Sequence, residues 1–288
     1  MQERRLLKIL YTWESKKQLG KLLKSRKALS IPITYLILFV SLIAVISVTY
    51  SFAVIRISVR GALLKTSVAK QNMQVLDDAV RSVAWSFGAS KVVYMDDCGG
   101  TFQTRPAAKT LVINFTDEQS FYDVVFNSSV GKAFYELEPS ESNDDGLFIR
   151  GDDRAIINQS AFTMTQLHFS GGSDAKELVL CYRPSATATS IGTSDRKPLN
   201  LIRVYIINLN SSQSLMLKEK FHLKVASMNV TTTTSQYEFN QPIFSLALKS
   251  TLDGSQNIVW LPISSIAEGA IVNVEIVVCS AKIQRVEV

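Results

Sequence analysis

The side chains in this sequence that could do chemistry by type and spacing form four small groups. Histidine occurs twice, His168 and His222, each within strand-like alternation and without a second histidine at metal-ligand spacing. Both read as ordinary strand residues. Cys98, Cys181 and Cys279 lie far apart with no Cys-x-x-Cys, so a zinc ribbon or thioredoxin-type site has no support. They leave either one disulfide with a cysteine over, or three buried thiols. In the third group Glu141, Asn143, Asp145, Gly146 and Asp152 fall on loop positions 1, 3, 5, 6 and 12 of a calcium EF-hand. Position 1 is normally Asp and position 12 normally Glu, and the flanks are strand-like. The stretch therefore reads as two polar turns around a short strand. The fourth group is five Asn-x-Ser/Thr sequons at Asn114, Asn127, Asn158, Asn210 and Asn229, each a candidate surface glycosylation site. Gly-x-Ser-x-Gly, His-Glu-x-x-His, Walker A and Gly-x-Gly-x-x-Gly are all absent. With no nucleophile paired to a base, the chain reads as non-enzymatic, with no catalytic residue, metal or cofactor expected.

The elements that would carry these groups are organised around one stretch. From 28 to 55 no residue is charged, and Leu, Ile, Val and Phe dominate. A helix needs roughly 20 mainly apolar residues to cross the hydrocarbon of a bilayer, so this run is long enough to span. Ser30, Thr34, Ser41 and Ser47 carry hydroxyls that can bond back to helix carbonyls. Residues 1–28 hold nine Lys or Arg against Glu3 and Glu14, a net of +7 in a chain of net +6. The basic charge is a topology signal, which places the N-terminus in the cytoplasm and the C-terminal body outside. It is not a nucleic-acid patch.

Three segments follow: a basic leader over 1–28, a transmembrane and amphipathic helix over 29–87, and an extracellular β-rich domain over 88–288. The leader reads either as an amphipathic helix on the inner leaflet or as a plain basic tail. Beyond Ile55 helical spacing continues with no proline before Pro106, so 31–87 can form one helix of about 85 Å. Gln74, Asp77, Asp78 and Arg81 are expected on its polar side. Val68, Val75, Leu76, Ala79, Val80 and Val83 are expected to pack on the β body, and Gly88 to stop the helix. From Lys91 the apolar period becomes two, with turn residues at short intervals. The fold class is α+β, with the body an antiparallel sandwich. Expected strands run over 91–95, 110–115, 123–126, 133–137, 146–150, 155–158, 163–169, 177–182, 201–209, 221–230, 243–249, 257–261 and 271–281. The stretch 184–198 reads as a long loop or a linker, giving a sub-boundary near 184–200. The threonine run 231–234 suits a solvated edge strand.

The junction Ser25-Arg26-Lys27-Ala28-Leu29-Ser30-Ile31-Pro32 resembles the class III leader of archaeal type IV pilin-like proteins. In that family a basic residue and a Gly or Ala precede the cut of a prepilin-type peptidase, and the apolar helix begins at once. The resemblance implies that Lys27 and Ala28 end the leader and that Leu29 opens the mature chain. The long helix and β-rich body are similar to the same architecture. The chain departs from the pattern in its long leader, in Ala28 where Gly is commoner, and in Ile33 at the fifth mature position, where bacterial pilins carry Glu. A body larger than a major pilin head points to a minor pilin or pseudopilin. The expected role is a glycosylated, single-pass surface protein that associates with itself or with other pilin-like subunits. The alternative is a solitary membrane-anchored ectodomain with an uncut leader, binding a ligand or partner protein.

Overall fold

One helix, α1 (Glu3–Val83), carries the whole N-terminal third of the chain. The computed structural model describes residues 3–138, 145–158, 164–171 and 175–286, with side chains from residue 31 onward. Internal contacts divide the chain into two units, Met1–Gly61 and Ala62–Val288. In the first unit every side chain from 31 to 60 is exposed. The apolar helix is long enough to cross a membrane, and Pro32 lies within it.

In the second unit the same helix becomes part of a core. Ala69, Met73, Leu76, Val80 and Val83 recur at alternating steps of four and three, which stacks them on one face, and all five are buried. They join Phe102, Tyr135, Phe169, Leu180, Leu223 and Ile283 from the strands in one apolar cluster. The helix ends as expected near Gly88. Ser86 N–H donates to the Val83 carbonyl, and Gly88 turns the chain with φ +75°, a left-handed conformation that glycine adopts without penalty.

Among the described residues thirteen strands follow: β1 (Ser90–Met95), β2 (Thr101–Thr116), β3 (Tyr122–Leu137), β4 (Phe148–Arg150), β5 (Thr165–Gly171), β6 (Lys176–Tyr182) and β7 (Ser185–Ser194), then β8 (Lys197–Asn208), β9 (Leu215–Leu217), β10 (Phe221–Phe239), β11 (Ser245–Leu252), β12 (Ser255–Pro262) and β13 (Ala270–Val286). They form two sheets, one ordered β1-β10-β13-β8-β7 and the other β12-β11-β2-β3-β6-β5-β4, with β9 paired to β2. The fold is α+β. All named pairs are antiparallel except β13 with β8.

The sheets share two cores. The first includes the helix. The second lies between the sheets without the helix, with Ile113, Phe115, Ile202, Val204, Leu248 and Val274 among its members and Ala155 and Ile156 added from the segment after β4. Ser227 lies beside the helix end, its hydroxyl donating to the Ala84 carbonyl, and β10 runs on from there to Phe239. At about 3.3 Å per residue that extension is about 40 Å. The threonines at 231–234 are exposed on this extension, where, among the described residues, β13 is the only paired neighbour because β1 stops at Ser90.

Several expectations are corrected. The stretch 184–198 is neither loop nor linker: β7 and β8 form a hairpin across it, inside the single unit Ala62–Val288. The runs 123–126 and 133–137 are one strand, β3. The run 155–158 is not a strand, and only Ile157 makes a bridge, to Ser185. On the helix Asp77 is not on the polar side but fully buried, because the β body supplies a basic and two hydroxyl partners there. Val75, expected inside, is 40% exposed.

Candidate functional site

Two features of α1 set what the protein can do: an apolar stretch without protein cover, and a polar dock that fixes the following turns to the body. In the apolar stretch nineteen large apolar or tyrosine side chains between Ile31 and Val59 are exposed. Leaving such groups in water costs at least about 1.5 kcal/mol each, so the stretch carries on the order of 30 kcal/mol of demand for lipid or apolar protein. Two of its hydroxyls are satisfied within the helix. Ser41 Oγ donates to the Leu38 carbonyl and Thr49 Oγ1 to the Val45 carbonyl, both at 2.8 Å. Arg56, the first charge after the run, lies over the Phe52 ring at 5.0 Å. Lys27, Ala28 and Leu29 fall within the helical backbone of α1, immediately before this stretch.

The dock is centred on Asp77. Its Oδ1 accepts hydrogen bonds from Thr165 Oγ1 at 2.7 Å and from the Tyr182 hydroxyl at 3.0 Å. Its Oδ2 accepts one from Arg150 Nη1 at 2.6 Å, and Arg81 Nη1 stands 4.0 Å away. Arg150 also reaches exposed Asp78 at 2.6 Å, so one guanidinium clasps two successive helix carboxylates. Burial, then the adjacent Asp77 charge, raises the Tyr182 phenol well above its usual range and keeps it a donor. One turn earlier Asn72 Nδ2 donates to the Asp96 carbonyl at 2.8 Å and to the Tyr135 hydroxyl at 3.2 Å, while its Oδ1 accepts the Asp96 N–H. The helix is therefore joined to β4, β5, β6 and the loop after β1 by directional bonds as well as by packing.

A second cluster, around buried Arg183, consumes part of the calcium-like stretch. Arg183, 1% exposed, pairs with Asp152 and donates to the Arg154 carbonyl at 3.1 Å. Arg154 Nη2 holds the other Asp152 oxygen at 2.6 Å. The Arg154 guanidinium, opposed by desolvation and aided by Arg183, holds the Asp152 carboxyl well below the usual range. Asp145 Oδ1 accepts the Gly171 N–H at 2.6 Å, and Gly146 turns at φ +74°. Glu141 and Asn143 lie outside the described residues. Among the described residues no three His, Cys, Asp or Glu side chains converge as metal ligands.

The remaining candidates are scattered. His168, on β5, stacks on Phe148 at 5.0 Å with a buried, unpaired Nδ1. Burial, then the charges of Lys109 and Lys132, lowers its pKa to about 4. His222, on β10, packs against Tyr94. Cys98, Cys181 and Cys279 are three free, buried thiols. Asn127, Asn158, Asn210 and Asn229 are exposed, whereas Asn114 is only 6% exposed, on β2 between β3 and β11. Sequence reasoning missed the Asp77 dock and the Arg183 cluster. The partners of Asp77 are 73 to 105 residues away in the chain, so no local spacing marks them. Comparison with known protein families, with curated proteins and with solved structures finds no match for this chain.

Proposed function

We propose that the chain is a non-enzymatic, pilin-like surface protein, a subunit or minor component of a type IV pilus-like filament. The observation that carries this reading is a single helix that is uncharged, mainly apolar and uncovered from 31 to 55, then docked into a β body by its next turns. A basic leader ending in Lys27-Ala28 meets that apolar run directly. The helix is held in the membrane before assembly, with its basic end in the cytoplasm. After cleavage at Leu29 by a prepilin-type peptidase, the same surface packs against the helices of other subunits. The β body faces outward and meets ligands or partners, and the exposed sequons Asn127, Asn158, Asn210 and Asn229 carry its glycans.

Material sheared from the surface of expressing cells tests this. Filaments labelled by an antibody against the body are expected in negative-stain micrographs. Recovery of the chain in the membrane fraction alone, with unlabelled filaments, contradicts filament membership and favours a solitary anchored ectodomain.

A further inference from the structure

The end of β10 at Phe239 borders an open groove of about 550 Å³, within the size range of small-ligand sites. The loop after β2, the β10–β11 connection and β12 build it. Six of its lining residues decide its chemistry: Asp117, Gln119, Glu238, Gln241, Phe244 and Trp260.

Both carboxylates are already engaged. Asp117 Oδ1 accepts the N–H groups of Gln119, Ser120 and Phe121 at 2.8 to 2.9 Å, and Oδ2 accepts the Ser120 hydroxyl at 3.0 Å. These bonds outweigh desolvation and hold Asp117 at about 2, so it acts as the clasp of a rigid loop. Glu238 pairs with Lys197 at 2.7 Å, and the same ammonium takes the Asn240 side-chain oxygen at 2.7 Å. The uncharged groups that can meet a ligand are the exposed side-chain amides of Gln119 and Gln241, each offering donors and an acceptor. Beside them stand two aromatic rings that burial does not explain, Phe244 at 70% and Trp260 at 46% exposure.

We propose that this groove binds a neutral saccharide. Neighbouring sugar hydroxyls both donate and accept, which matches the paired donors and acceptor of a side-chain amide. The C–H face of a pyranose ring matches the negative face of an exposed indole or phenyl ring. An anionic ligand would meet two carboxylates and no free cation among the lining residues. The inference rests on the outward-facing body only for where the ligand is met. Binding by the purified chain tests the groove whichever way the filament assay falls.

The full chain, purified in a zwitterionic detergent to avoid glycoside detergents as competitors, is applied to an array of neutral, acidic and peptide probes. Neutral oligosaccharides are expected to bind. Trp260→Ala and Phe244→Ala should each weaken that binding about tenfold or more, the loss of one stacked ring. Trp260→Phe should retain most of it. Gln241→Ala, on an exposed loop, should weaken it without moving the melting temperature, which keeps the test valid should either ring variant misfold. Trp85→Phe, at the helix end, should bind as the parent does. The proposal is overturned if no neutral saccharide binds at millimolar concentration, if binding is confined to acidic sugars or peptides, or if it survives Trp260→Ala and Gln241→Ala.

Discussion

Replacing Asp77 by alanine removes one acceptor from three donors, and the structure sets the size of the effect. The hydroxyls of Thr165 and Tyr182 are buried and lose their hydrogen bonds to a charged oxygen. A buried polar group left unpaired costs about 1 to 3 kcal/mol. The Arg150 side chain is 30% exposed and keeps Asp78, so its share is discounted to about 1 kcal/mol or less. Removing the carboxylate also recovers its own desolvation cost, which pulls the sum toward the lower end. The expected loss is about 3 kcal/mol. Asp78→Ala removes a partner that is 55% exposed and should cost at most about 1 kcal/mol. Equilibrium denaturation of the full chain in detergent measures both, and hydrogen exchange over 66–83 shows whether the loss falls on the docked turns. If Asp77→Ala stays within about 0.5 kcal/mol of the parent, or if Asp78→Ala costs as much, the buried dock is not what fixes the helix.

Two further outcomes follow from the same structure. His168 has its folded pKa lowered to about 4 from an ordinary value of 6.5, so the unfolded chain binds the extra proton between those values. Its contribution is complete above about pH 6.5 and is lost as pH falls toward 4. Urea unfolding at pH 7 and pH 5 should show that loss in the parent and a smaller one in His168→Phe, whereas equal losses would remove His168 from the account. For the sequons, mass spectrometry of glycopeptides from the native protein should find glycans at exposed Asn127, Asn158, Asn210 or Asn229 and none at Asn114; an occupied Asn114 contradicts its placement between β3 and β11.

How far the fold could be read from the chain depended on whether the signal was local. The hairpin of β11 and β12 turns at Asp253-Gly254, both at positive φ, and Asp-Gly is a strong local mark for such a turn. The hairpin of β7 and β8 turns at Asp195-Arg196, also both at positive φ but with no glycine. Its strand of Ser, Thr, Ala and Gly therefore resembled a loop. Between the runs 123–126 and 133–137 stands Gly131, inside β3, where a Cβ would be 2.6 Å from the Leu209 carbonyl oxygen, so the close approach of another segment, not a break in the strand, requires glycine there. Pro106 hid the first part of β2, where a bulge between Arg105 and Lys109 accommodates it. On the helix the i, i+3, i+4 pattern placed Leu76, Val80 and Val83 inside. It misplaced Asp77, since a buried carboxylate and a solvated one have the same spacing and differ only in distant partners.

The measurement closest to the central claim is the mature N-terminus of protein taken from native membranes. Cleavage between Ala28 and Leu29 removes the +7 leader and keeps the whole apolar run. That leaves a helix that can be drawn from the bilayer, whereas Lys and Arg passing the membrane centre cost about 2.5 to 3.5 kcal/mol each. Intact-mass analysis with N-terminal sequencing is expected to show a chain beginning at Leu29. A chain beginning at Met1 contradicts the filament-subunit reading, and one beginning near Ser51 would mean that the apolar run is removed as a secretory signal.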